Sequence, residues 1–116
     1  MRDLMEKKVE ASLLLSYYGA LLTDTQQQMS TLYYDEDYSL SEIAAQFHVS
    51  RQSVHDTVAR SLQQLEQTEE KLGFISRDAL RERRLAAGIR ELSAMDGAPA
   101  RRAIEVLSAL GQEEEQ

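Results

Sequence analysis

Arg51, Gln52, Ser53, His55 and Arg60 fall within one stretch of ten residues and carry hydrogen-bonding chemistry suited to nucleic acid. Arginine pairs bidentately with guanine and glutamine with adenine, and arginine and serine also reach phosphate oxygens. Asp56 lies in the same stretch and would repel phosphate. Nothing else in the chain points to a reaction. There is no GxSxG, no phosphate-cradling glycine loop and no carboxylate pair framed by a plausible pocket. Cysteine is absent, which removes disulfides, thiolate metal sites and thiol nucleophiles. His48 and His55 lack any metal-binding spacing. Asp35-Glu36-Asp37 lacks the glycine and terminal glutamate of a calcium loop, so it reads as a solvated turn or an anionic contact for a basic partner. The chain is therefore expected to be a non-enzyme with no metal and no cofactor.

For the first group to act together, its members must share a helix, and the flanking residues supply one. Ser39 is placed to cap a helix, with Glu42 three residues on completing a capping box, and Leu40, Ile43, Ala44 and Phe47 form one apolar stripe. Val49 falls in the turn. Ser50 then caps a longer helix of roughly 20 residues, with Val54, Val58, Leu62 and Leu65 inward and the stripe continuing toward Leu72. This pattern predicts a helix-turn-helix, whose second helix normally enters the major groove.

The remaining sequence also has helical spacing. A first helix is expected over about residues 7–22, with Leu14, Tyr18 and Leu21 inward, joined by Leu13, Tyr17 and Leu22; Gly19 suggests close packing there. Thr23 and Gln26 form a capping box for a second helix over about 24–34, with Met29, Leu32 and Tyr33 inward. Gly73 is a natural helix stop. Beyond it, Ser76 is the expected cap of an arginine-rich helix over about 77–93, and a last helix spans about 99–110. The fold class is all-α: a helical bundle containing a helix-turn-helix without a wing, with a C-terminal helical extension. The expected division is residues 1–74, 75–111 and a flexible acidic tail at 112–116.

Charge opposes the simplest reading of the motif. The chain holds 13 Lys and Arg against 20 Asp and Glu, a formal charge of −7. Residues 1–72 contain six basic and twelve acidic side chains, a balance of −6, so the helix-turn-helix portion is the more acidic part. A stand-alone DNA reader usually carries the opposite sign. The basic side chains concentrate instead near the C-terminus, where Arg77, Arg81 and Arg84 are candidates for an anionic ligand such as RNA. Tyr17, Tyr34 and Tyr38, with Leu65 and Leu72, are candidates for a partner interface, since exposed tyrosine favours such surfaces. No apolar run approaches the roughly 20 residues of a membrane span. The charged N-terminus does not suit a signal peptide, so a cytoplasmic protein is expected.

Three ordered blocks carry a family resemblance: Tyr17 to Thr23, Leu32 to Ala44 with its tyrosine pair before the acidic loop, and Val49 to Val54. Together they resemble the YlxM family of small bacterial helix-turn-helix proteins, similar to region 4 of sigma factors, over about residues 8–74. The resemblance implies an accessory or regulatory protein of the signal recognition particle pathway, contacting the particle's GTPase, its RNA or both, and a homodimer. It carries over Arg51, Gln52 and Arg60 as recognition-helix positions. Ala59 and His55 depart from the family pattern, where a lysine and an aromatic are common. The alternative is a DNA-binding transcriptional regulator that uses the same helix in the major groove.

Overall fold

The computed structural model describes residues 3–113, and its described residues are helical, with no strand. The helices are α1 (Leu4–Tyr18), followed by a 3-10 turn (Gly19–Leu21), α2 (Asp24–Tyr34), α3 (Leu40–Phe47), α4 (Arg51–Leu72), α5 (Phe74–Ser93) and α6 (Ala98–Glu113). Contacts divide the chain into two compact units, Met1–Ile75 and Ser76–Gln116. No helix among the described residues is long and apolar enough to cross a membrane.

Short-range side-chain hydrogen bonds set where the first four helices begin. Asp3 accepts the Glu6 N–H at 2.8 Å. Thr23 and Gln26 cap each other's backbone at 3.2 and 3.0 Å, and Ser39 and Glu42 do the same at 3.0 Å each. The Ser39 N–H holds the Glu42 carboxyl below its ordinary range. Ser50 accepts the Ser53 N–H at 3.0 Å. Each such cap is worth about 1 kcal/mol, because it satisfies a backbone donor that the helix leaves orphaned.

The α3–α4 turn is equally local. His48 adopts the left-handed conformation at φ 56°, and its N–H bonds back to the Ala44 carbonyl. The Val49 N–H reaches the same carbonyl at 3.1 Å. This closes α3 in the manner of a Schellman motif, with histidine at the position usually given to glycine.

The core of the first unit is organised by α4, which packs against α1, α2 and α3. Toward its N-terminus, Val54 and Val58 join Met29, Ile43 and Ala44, flanked by half-buried Leu32, Tyr33, Leu40 and Phe47. Farther along, Leu65 joins Leu15, Tyr18 and Leu22. Half-buried Tyr34 borders both clusters. Burial of each large apolar side chain contributes roughly 1.5–3 kcal/mol. Ser61 is fully buried on α4, its hydroxyl donating to the Thr57 carbonyl at 2.6 Å, and Ser30 is fully buried on α2.

Several sequence expectations are corrected here. On α1 the inward stripe is Ala11, Leu15 and Tyr18, followed by Leu22, while Leu13, Tyr17 and Leu21 are exposed. The helix is apolar on two faces, so its spacing alone does not choose the phase. It also stops at Tyr18, where Gly19 is buried; a Cβ there would lie 3.3 Å from Gln27 Nε2, which leaves little room. On α4 the buried position between Val58 and Leu65 is Ser61, and Leu62 is only half-buried. Leu65, a candidate for a partner interface, is 1% exposed and belongs to the core.

The start of α5 is a further correction. Ser76 lies inside that helix and does not cap it. The first N–H groups are taken by side chains outside the helix: Phe74 N–H donates to Tyr18 Oη, 56 residues away, at 3.3 Å and Ile75 N–H to Glu69 Oε1 at 3.0 Å. Tyr18 Oη in turn donates to Glu69 at 2.6 Å, and the Tyr18 and Phe74 rings lie 6.3 Å apart. Gly73, left-handed at φ 66°, ends α4 between them.

In the second unit, α5 and α6 approach through small residues. A Cβ on Gly88 would touch Leu107, and one on Gly111 would touch Leu85, each at 3.9 Å. Ala100 is the buried apolar residue of this unit. Helix α6 continues through Gln112 and Glu113, residues expected in the acidic tail. Residues 114–116 of that expected tail lie outside the described residues.

The Tyr18 knot has a measurable consequence. Burial and the bond to Glu69 raise the Tyr18 hydroxyl above 10, and burial pushes Tyr34 up to about 12. A phenol whose folded pKa is raised stabilises the fold fully below the unfolded value near 10 and progressively less above it. Tyr18→Phe is expected to lower stability by about 1–2 kcal/mol near neutral pH. It is also expected to flatten the loss of stability as pH rises above 10, as read from urea unfolding across pH.

Candidate functional site

Burial of Val54 and Val58 fixes which side chains α4 presents to solvent. Arg51, Gln52, Ser53, His55, Asp56 and Arg60 are all exposed, so the helix gathers these six on its first three turns. The geometry also shows what this surface already does. Gln52 Nε2 donates to Asp56 Oδ1 at 2.9 Å, one turn away. His55 Nδ1 lies 3.3 Å from the same oxygen. His55 first, and Gln52 second, hold the Asp56 carboxyl below its ordinary range, so it is an anion at neutral pH. The amide suited to adenine is thus engaged within the helix, and a carboxylate stands among the cations.

The other candidates are placed separately. Tyr17 is 38% exposed with its ring 6.0 Å from Tyr18, and Tyr38 and Leu72 are exposed. Tyr34 packs edge-on against Tyr33 at 5.0 Å, so it spends much of its surface inside the first unit. Arg77, Arg81 and Arg84 belong to the second unit. Two of these arginines meet the same carboxylate: Arg81 bonds Asp78 at 2.7 Å, and Arg77 Nε lies 3.8 Å from it. Arg84 is exposed.

The acidic loop has a role that its sequence did not show. Asp35 accepts a hydrogen bond from Ser12. Asp37, left-handed at φ 58°, pairs with Lys8 at 3.3 Å. Lys8 Nζ also sits 4.8 Å above the Tyr33 ring. The loop is tied to α1 by side chains 23 and 29 residues away, and no short-range spacing signals such pairs. No group of three or more metal-ligating side chains occurs among the described residues.

A capped α3, a left-handed turn and an outward-facing α4 define a helix-turn-helix protein. The chain belongs to the UPF0122 family, described as "Putative helix-turn-helix protein, YlxM / p13 like", which matches residues 5–98. Among its relatives, the UPF0122 protein of Geobacillus kaustophilus is 41% identical over 110 residues, covering 80% of this chain and all of that protein. The UPF0122 protein of Symbiobacterium thermophilum is 43% identical over 98 residues, covering 84% and 92%. The UPF0122 protein of Desulforamulus reducens is 52% identical over 73 residues, covering 63% of this chain and 62% of that protein.

Asp56 is the side chain to test on this surface. Asp56→Asn removes the central negative charge and loosens the hold on Gln52 and His55. Affinity for random duplex DNA at low salt is expected to rise about fivefold, the worth of one unit charge near phosphate in water. Fluorescence anisotropy of labelled duplex measures it.

Proposed function

We propose that this protein is an accessory binding protein of the bacterial signal recognition particle pathway, acting by contact with the particle's GTPase, its RNA or both. The family resemblance supplies the pathway. The observation that carries the mode of action is electrostatic: the helix-turn-helix unit has six basic and twelve acidic side chains, with ionised Asp56 on the exposed face of α4. Phosphate-driven DNA binding needs clustered cations. An acidic surface suits a basic protein, with charge steering the encounter. In this reading the GTPase meets the acidic unit, while Arg51, Arg60 and the arginines of α5 contact RNA phosphates. Catalysis has no part in it.

A second reading rests on one observation, the common exposure of Arg51, Gln52 and His55 near the N-terminus of α4. It makes the protein a DNA-binding transcriptional regulator. Two such helices would have to be held one turn of DNA apart in a dimer.

One titration series separates the readings. Labelled particle RNA, labelled random duplex DNA and labelled GTPase are each titrated with the full chain across salt concentrations. Affinity for the GTPase or preference for the RNA is expected. Arg51→Ala is expected to weaken RNA binding about threefold to tenfold while leaving GTPase binding unchanged. Affinity for neither at moderate salt overturns the accessory reading. A sequence-selective footprint on DNA that Arg51→Ala abolishes establishes the second.

A further inference from the structure

Helix α1 carries a second apolar face besides the one it packs into the core. Its core side is Ala11, Leu15 and Tyr18. Away from that side, Met5, Val9, Leu13 and Tyr17 recur every four residues, and Leu21 of the following 3-10 turn extends the row. They are 74%, 63%, 45%, 38% and 63% exposed. Residues four apart on a helix are neighbours, so this is a continuous apolar stripe about four turns long. An isolated exposed leucine needs no explanation, but a contiguous stripe marks an interaction surface. A helix buried on one side only carries polar residues on the other.

The edge of the stripe indicates what covers it. Asp3, Glu6 and Glu10 border it at i, i+3 and i+7, and all three are exposed. Met5 and Val9 line a shallow depression of about 490 Å³ together with these three acids. The chemistry that fits is an apolar ridge with cations along one side. A second copy fits poorly, since it brings the same three carboxylates and the same −6 unit to the contact. An extended peptide leaves its backbone polar groups unpaired against an apolar stripe, whereas a helix satisfies its own and matches the four-residue repeat.

We infer that the outer face of α1 is a docking site for an amphipathic basic helix of a partner protein, with its apolar residues on Met5, Val9 and Leu13 and its lysines or arginines along Asp3 and Glu6. This inference rests on the accessory reading for the partner's origin and locates the contact within it. The α4 surface is then left for RNA.

Two designed peptides test the site on the full chain. Both form helices with leucine in four-residue steps; one carries lysine along the edge of that row and the other glutamate. The lysine peptide is expected to bind at least about tenfold more tightly. Val9→Asp is expected to cut that affinity about tenfold or more, with an unchanged melting curve because Val9 is 63% exposed. Glu6→Lys is expected to reduce the preference for lysine. Equal binding of both peptides, binding of neither, or no effect of Val9→Asp overturns the inference. So does a dimer of the full chain, seen by sedimentation, that Val9→Asp dissociates. Repeating Val9→Asp against the GTPase separates this from the accessory reading. GTPase binding that Val9→Asp leaves intact overturns the docking site and spares the reading. A peptide site without affinity for GTPase or RNA does the reverse.

Discussion

The first unit depends on a single constraint: α4 must bury one stripe from Val54 to Leu65, and no single neighbour covers all of it. Val54 and Val58 are covered by α2 and α3, and Leu65 by α1 and the turn after it. The same burial orients Gln52, Asp56 and Arg60 outward, so packing and presentation of the functional surface are one choice. Replacing an inward valine would therefore disturb what the helix displays as well as how it is held. Tyr34, touching both clusters, is the side chain through which the two halves of that burial meet.

Electrostatics then divide the surface into parts with different uses. The acidic loop is tied to α1 by Ser12 and Lys8, so two of the twelve acids act as struts. Asp56 is committed to Gln52 and His55. Any ligand of the α4 face must exchange those bonds for its own, and the net gain is smaller than the count of donors suggests. The acids beside α1 border an apolar stripe, which is where opposite charge adds most to specificity.

The sequence made the fold legible where the determinants are local. Thr23, Ser39 and Ser50 cap backbone groups three residues away, so the starts of α2, α3 and α4 could be placed from spacing alone. The outward set from Arg51 to Arg60 followed from the phase of Val54 and Val58. Legibility failed where the determinant is distant or degenerate. The beginning of α5 is set by Tyr18 and Glu69, and Tyr18 lies 56 residues before Phe74. The phase of α1 is ambiguous because leucine and tyrosine occupy both of its faces. Leu65 looked like interface because a long apolar stripe on α4 does not reveal where its cover ends. The internal bonds of Gln52, which alter the chemistry of the candidate site, depend on rotamers that spacing does not specify.

The ties of α1 differ in kind from those of the other helices in its unit. Between α2 and α4, neighbouring elements are joined by turns and caps that close over a few residues, at small cost in chain entropy. Helix α1 is held by one apolar edge and by polar links that span 23, 29 and 51 residues. Each closes a long loop, at a larger cost in chain entropy than a local cap. Local opening is therefore cheapest along α1, the least locally anchored element of the unit. A partner seated on its outer face would gain affinity from its own contacts and also close the part of the fold that loosens first.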